Sequence, residues 1–158
     1  MPQNNKKPLR KTSTIIVQIA ALIGLLDSMY LAYVKIARAP IYCTPGLGDC
    51  EVVNASRWSE LFGIPLGVYG MVGFGLILLI TTVGRKINWV AAYTDLILFG
   101  ISTAGFLFSL YLTGIEIFVL KTVCQWCLLS AVAMTVIFVT TIIRLVVKSP
   151  SYIRTGGN

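Results

Sequence analysis

Four apolar runs, each long enough to cross a bilayer, decide most of what this chain can become. They extend from about Thr14 to Ile36, Ile64 to Val83, Val90 to Phe118 and Val123 to Val147. A spanning helix needs roughly 20 apolar residues. Inside hydrocarbon, only a helix or a closed barrel satisfies every backbone N–H and C=O. With 158 residues, 56% hydrophobic and 12% charged, the chain has room for four such helices and no separate soluble domain. The expected fold is an all-α integral membrane protein. It is a four-transmembrane-helix bundle at 14–147, with basic or polar tails at 1–13 and 148–158.

The connections carry the remaining information. The first run is too long for a signal-peptide core and lacks a small-residue cleavage site. Residues 37–62 form the one long polar connection, holding Pro40, Cys43, Pro45, Gly46, Gly48 and Cys50. Within it, Ala55 to Phe62 is expected to form a short amphipathic helix capped by Asn54, with Trp58, Leu61 and Phe62 on one face. Pro65 is acceptable in the first turn of the second spanning helix. Lys6, Lys7, Arg10, Lys11, Arg85, Lys86, Arg144, Lys148 and Arg154 fall on one side of the bundle; only Lys35, Arg38, Arg57 and Lys121 fall on the other. The positive-inside rule then puts both termini in the cytoplasm. All four cysteines face outward across the plasma membrane, into an oxidising compartment. The net charge of +7 belongs to these flanks, so it marks topology and no nucleic acid is expected as a partner. Histidine is absent, which removes the commonest general base and metal ligand.

The four cysteines lie in two close pairs, Cys43 with Cys50 and Cys124 with Cys127. They can be a structural staple, a metal site or a redox relay. Zinc wants two pairs brought into a tetrahedron, which a six-residue gap in a Pro/Gly loop suits poorly; no metal is assigned. A staple is credible across Cys43 and Cys50. Across Cys124 and Cys127 it encloses almost no loop and stabilises little. A Cys-x-x-Cys heading a helix, where unpaired N–H groups and the dipole favour a thiolate, suits reversible exchange. A relay serving an oxidant near about −120 mV needs a still more oxidising sink, and a membrane quinone is one that a helical bundle can reach. No nucleotide or flavin motif competes: the glycines from Gly63 to Gly75 lie in a span.

An internal echo accompanies the cysteines. Gly24-Leu25-Leu26-Asp27-Ser28-Met29-Tyr30-Leu31 matches Gly105-Phe106-Leu107-Phe108-Ser109-Leu110-Tyr111-Leu112 at five of eight positions, 81 residues apart, as are Cys43 and Cys124. Each half reads as an outward helix, a cysteine pair and a return helix, which fits a parallel repeat; shared membrane-helix composition explains the same match.

Taken together, Cys43 and Cys50, Ser56-Arg57-Trp58, Phe62-Gly63-Ile64-Pro65 and Cys124-Gln125-Trp126-Cys127 resemble the vitamin K epoxide reductase family, in its prokaryotic disulfide-forming branch, over about residues 14–147. The resemblance implies a bundle around a quinone, ubiquinone or menaquinone, capped by the outer loop. It implies that Cys43 meets a soluble partner, that Cys50 exchanges with Cys124, and that Cys127 faces the quinone, with Ser56 over the pocket. Trp58 and Trp126 would flank that pocket, although an interfacial aromatic belt explains them equally well. Leu66 and Ala131 fall where animal members hold the naphthoquinone carbonyl with Asn and Tyr. That favours a respiratory quinone held by apolar contact. The partner would be a separate extracytoplasmic thioredoxin-fold protein of the DsbA kind, and the chain a monomer. The function so implied is quinone-dependent thiol oxidation in support of disulfide formation.

Three acids remain. Asp27 is mid-span, a position that marks functional candidates by default; it is either a proton path or a hydrogen bond into the bundle. Asp95 is assigned nothing. Glu116 falls near the outer end of the third helix, within reach of Cys124; it could take protons from the thiols or face solvent, and solvent is the expected reading.

Overall fold

The structure is a computed structural model, and it describes residues 6–46, 48–84 and 88–148. The elements in order are α1 (Lys6–Ala37), α2 (Cys50–Ala55), a 3₁₀ turn (Arg57–Ser59), β1 (Glu60–Leu61), β2 (Ile64–Pro65), α3 (Leu66–Val83), α4 (Asn88–Ile115), a π turn (Glu116–Leu120) and α5 (Gln125–Lys148). α1, α3, α4 with its π turn, and α5 are long and apolar enough to cross a membrane. The protein is a multi-pass membrane bundle. α1 begins earlier than the expected Thr14 because Lys, Leu and Arg are good helix formers and Pro8 falls in the first turn.

α1 lies between α3 and α5, α4 packs against α5, and α3 and α4 touch only lightly. The core is small: Val17, Ala20 and Ala21 of α1 meet Phe74 and Ile77 of α3, Leu98 of α4, and Ala133, Met134 and Ile137 of α5. Lipid tails are as apolar as leucine, so small residues that allow close backbone approach decide which helices pair. Gly67 shows this most sharply. A Cβ there would come within 2.6 Å of the Ala32 nitrogen and 2.8 Å of the Ser28 carbonyl oxygen, both backbone atoms of α1. The outward faces keep large apolar side chains, among them Ile19, Leu22 and Leu26, where lipid replaces water. Hydroxyls within the spans return to carbonyls one turn back, as Thr81 does to Ile77 and Thr141 to Ile137. At the end away from the cysteines, Arg144 Nη2 donates to Thr14 Oγ1 at 2.5 Å and ties α5 to α1.

The short helix of the long connection is not where it was expected. It is α2, Cys50–Ala55, and its cap is Asp49, whose carboxylate accepts the N–H groups of Glu51 and Val52. Asn54 lies inside it and caps nothing. Asp49, directly ahead of Cys50, starts the helix five residues before Asn54 could. Ser56 adopts an extended ψ of 155° and ends the helix. Residues 60–65 then form a hairpin, Glu60 opposite Pro65 and Leu61 opposite Ile64. Phe62 and Gly63 both have positive φ, 54° and 77°, as a two-residue primed turn requires. Trp58, Leu61 and Phe62 are therefore exposed residues of a turn and a hairpin, not one face of a helix. Pro65 precedes α3 as its cap instead of entering the first turn.

Each half of the internal echo, α1 with α3 and α4 with α5, is a directly packed helix pair. The echoed tyrosines differ, however: Tyr30 is half-buried while Tyr111 is exposed.

Candidate functional site

All four cysteines gather at one end of the bundle. Cys50, Val53 and Cys124 are buried together, with Ile41, Cys43, Leu120, Trp126 and Cys127 packed around them. Cys43 and Cys50 are joined by a disulfide, with Cα atoms 6.0 Å apart. Cys124 and Cys127 are free thiols, the first buried and the second half-buried.

Residues around the second pair hold the first pair in place. Trp126 Nε1 donates to the Tyr42 carbonyl at 2.8 Å, and the Thr44 N–H donates to Gln125 Oε1 at 3.1 Å. The Asp49 N–H donates to Thr122 Oγ1 at 2.8 Å. Gly48, at φ +111°, passes so close to the Val123 carbonyl that any side chain there would collide. The loop carrying Cys43 and Cys50 is thus stitched, residue by residue, onto the start of α5. Lys35 pins the remainder of the cap to α1: its ammonium donates to the Asn54 carbonyl at 2.6 Å and to Ser59 Oγ at 2.7 Å, and pairs with Glu60 at 3.3 Å. Lys35→Met keeps the stem and removes these donors. Amide hydrogen exchange across residues 50–59 should then quicken several-fold while the spans stay protected, because the half-buried Asn54 carbonyl and Ser59 hydroxyl lose a charge-assisted donor and Glu60 loses its ion pair. Unchanged exchange would show that the cap stands without Lys35.

Cys124 is the N-cap of α5: its carbonyl accepts the Leu128 N–H at 2.9 Å. Its own N–H donates to Glu116 Oε2 at 3.1 Å. The Cys127 thiol and the N–H groups of Cys127 and Trp126 point hydrogen bonds at the Cys124 sulfur. The thiol–thiol bond is the strongest of these effects. Together they hold the Cys124 thiol below its ordinary pKa, despite burial and the nearby Glu116 carboxyl. Glu116 is itself buried, not solvent-facing as its sequence position suggested. The π turn ends at Lys121, in the left-handed region at φ 52°, and folds the chain back so that the Glu116 side chain lies under the Cys124 backbone. π turns of this kind recur at functional sites.

Two chambers adjoin the cysteines. The smaller, about 60 Å³, lies beneath the cap and is lined in part by Ser56, Trp58, Leu66, Glu116, Cys124 and Cys127. The larger, about 230 Å³, runs into the bundle where α3 and α4 are loosely packed, past Leu66, Gly67, Phe108, Cys127, Ser130 and Ala131. Cys127 and Glu116 lie on the walls of both. The expected ligand residues therefore divide. Leu66 and Ala131 line the larger chamber, and Ser56 and Trp58 line only the smaller one. The Ser56 hydroxyl is committed to the Val53 carbonyl at 2.7 Å. Trp126 lines neither chamber; its ring packs on Tyr30 at 4.7 Å and its N–H holds the loop. Glu116 is the site residue that sequence reasoning misplaced. Among the described residues, no three His, Cys, Asp or Glu side chains are grouped to hold a metal.

Two cysteine pairs at one mouth of a four-helix membrane bundle agree with the sequence comparison: residues 15–142 match the Vitamin K epoxide reductase family. The chain belongs to the vitamin K epoxide reductase family. It is also 31% identical over 116 residues to the thiol-disulfide oxidoreductase LTO1 of Arabidopsis thaliana, a match covering 68% of this chain and 30% of that protein. The chain thus spans less than a third of the length of that relative. Within the family assignment, the Cys-x-x-Cys heading α5 and the disulfide-bearing cap are both in the matched region.

Proposed function

We propose that this protein is a membrane thiol oxidase that re-oxidises a separate, extracytoplasmic thioredoxin-fold protein and passes the electrons to membrane quinone. The observation that carries the reading is continuity. Cys43 is partly accessible, Cys50 and Cys124 share one buried cluster, and Cys127 opens onto an apolar cavity.

The chemistry balances as thiol–disulfide exchange. A partner thiolate attacks Cys43, and the partner's second thiol resolves that mixed disulfide, so the partner leaves oxidised and Cys43 and Cys50 become thiols. Cys50 thiolate next attacks the sulfur of Cys124 in a Cys124–Cys127 disulfide, releasing Cys127 as thiolate. Cys43 then attacks Cys50 and closes the first disulfide again, leaving Cys124 and Cys127 reduced. That state has the same pairing as the structure. Quinone supplies a two-electron, two-proton acceptor, and the Cys124–Cys127 dithiol returns to a disulfide. Glu116, bonded to the Cys124 backbone and to the Cys127 thiol, is placed to take the thiol proton. The larger cavity suits an aromatic head group: its walls are mostly apolar side chains and small glycines, and the weak α3–α4 contact leaves an isoprenoid tail a route to lipid. Leu66 and Ala131 offer contact without a hydrogen bond to a quinone carbonyl.

The excess of Lys and Arg on one side supports both termini in the cytoplasm and the cysteines outside the plasma membrane. The test is trapping. Cys50→Ala leaves Cys43 without its resolving thiol, so Cys43 should accumulate as a mixed disulfide with an extracytoplasmic thioredoxin-fold protein, seen as a reducible adduct. Cys43→Ala in the same cells should give none. Equal adducts from both variants, or adducts only with cytoplasmic proteins, would sink the proposal.

A further inference from the structure

Asp27 lies in the middle of the α1 span and is 4% exposed. One carboxylate oxygen, Oδ2, accepts the hydroxyl of Ser130; the other, Oδ1, is buried with no hydrogen-bond partner among the described residues. A carboxylate served by a single hydrogen bond in such surroundings is costly. An Asn would satisfy Ser130 without that cost, so packing alone does not account for an acid here. Ser130 is not isolated from the chemistry. It lies on α5 three residues beyond Cys127, one turn deeper into the membrane, and both line the larger cavity.

We propose that Asp27 and Ser130 form a proton relay into the wall of this cavity, delivering one of the two protons that turn the reduced acceptor into a quinol. The inference rests on the oxidase reading above. Two electrons leave the Cys124–Cys127 dithiol as its S–S bond forms, and the acceptor gains two electrons and two protons. Glu116 serves the sulfur end. At Ser130, Asp27 in its acid form donates from Oδ2 to the serine oxygen while the serine's own proton passes to the nascent quinol oxygen. Asp27 is left as a carboxylate that accepts from Ser130. It regains a proton from those shed by the thiols, so each turnover is proton-neutral: two leave sulfur and two arrive on quinol. Asp27 acts through Ser130 and is a positioning and proton-storing residue; Ser130 is the group that meets the acceptor.

The experiment uses the full chain in lipid nanodiscs, reduced with dithiothreitol and mixed rapidly with a short-chain ubiquinone. Asp27→Asn and Ser130→Ala should each slow quinol formation about 100-fold, the scale of a lost general acid, with KM for the quinone within about threefold. Ser130→Thr, which keeps the hydroxyl, should retain most of the rate. Infrared spectra taken without quinone should contain a protonated-carboxyl band that Asp27→Asn removes. Wild-type rates in Asp27→Asn, or no such band, overturn the relay. Should Asp27→Asn fail to fold, equal rates in Ser130→Ala and Ser130→Thr overturn it as well. A wild-type protein that reduces no quinone overturns the oxidase reading and takes the relay with it. A normal wild-type rate with unaffected variants overturns the relay alone.

Discussion

Cys127→Ser is expected to stop quinone-coupled thiol oxidation, by at least about 10³-fold, while thiol exchange at the outer pair survives. Oxidising a dithiol to a disulfide needs two sulfurs, and residues that act as one chemical unit fail together when either is removed. The outer pair is spared because Cys43 and Cys50 already form their own disulfide and Cys43 does not touch the cavity walls. Cys124 would remain, buried beside Cys50 but without the thiol that closes its own disulfide. Cys43 resolves any Cys50–Cys124 disulfide, so the oxidised variant should carry the Cys43–Cys50 disulfide and a free Cys124. The assay is oxygen-free consumption of reduced partner thiols with a soluble quinone, alongside mass spectrometry of the disulfides. Oxidation that continues at the wild-type rate would mean that electrons leave the protein by another route. A scaffold with a stapled loop predicts the opposite pattern: loss of Cys127 should cost some stability and no activity.

A large structural effect within the spans is expected at Gly67. Gly67→Ala places a methyl within 2.6 Å of one α1 backbone atom and 2.8 Å of another, and neither can swing aside as a side-chain tip could. The helices must part, at a cost of about 1–3 kcal/mol for overpacking of this kind. Gly67 also lines both chambers, so the shift should raise KM for quinone as well as lower resistance to unfolding in detergent. Gly75, in the same helix, has nothing within 4 Å of its would-be Cβ. Gly75→Ala should be neutral or slightly stabilising, since Ala is the better helix former. Equal unfolding midpoints for the two variants would show that α1 and α3 are not held by close approach at Gly67.

Long-period features survived the passage from sequence to structure, and short-range competition did not. The four spans were legible because hydrocarbon leaves a chain so few options, and Cys124 at a helix start was legible because the Cys-x-x-Cys adjoined an apolar run. The short helix moved from Ala55–Phe62 to Cys50–Ala55 because two candidate caps lay five residues apart, and periodicity over eight residues could not choose between them. The primed turn at Phe62-Gly63 needed a positive φ at Phe62, which few would assign to an aromatic residue. Glu116 was misplaced for a different reason. Depth along a helix can be counted from sequence, but whether an acid at the rim turns outward or under a neighbouring helix depends on the π turn that it opens. Trp126 was drawn toward the ligand by its place between two reactive cysteines; the structure uses its N–H to fasten the other pair. The asymmetry is physical: burial patterns are written over many residues, whereas a partner across 80 residues of chain leaves no local signature.

One transfer is central, from the pair in the cap to the pair heading α5, and a double variant isolates it. Cys43→Ala with Cys127→Ala leaves Cys50 and Cys124 as the only cysteines. After mild oxidation in membranes, digestion and mass spectrometry should find the Cys50 and Cys124 peptides linked by a disulfide in most molecules, as their shared buried cluster requires. Recovery of both as freely alkylated thiols, under conditions that fully oxidise the Cys43–Cys50 pair of the wild type, would contradict it.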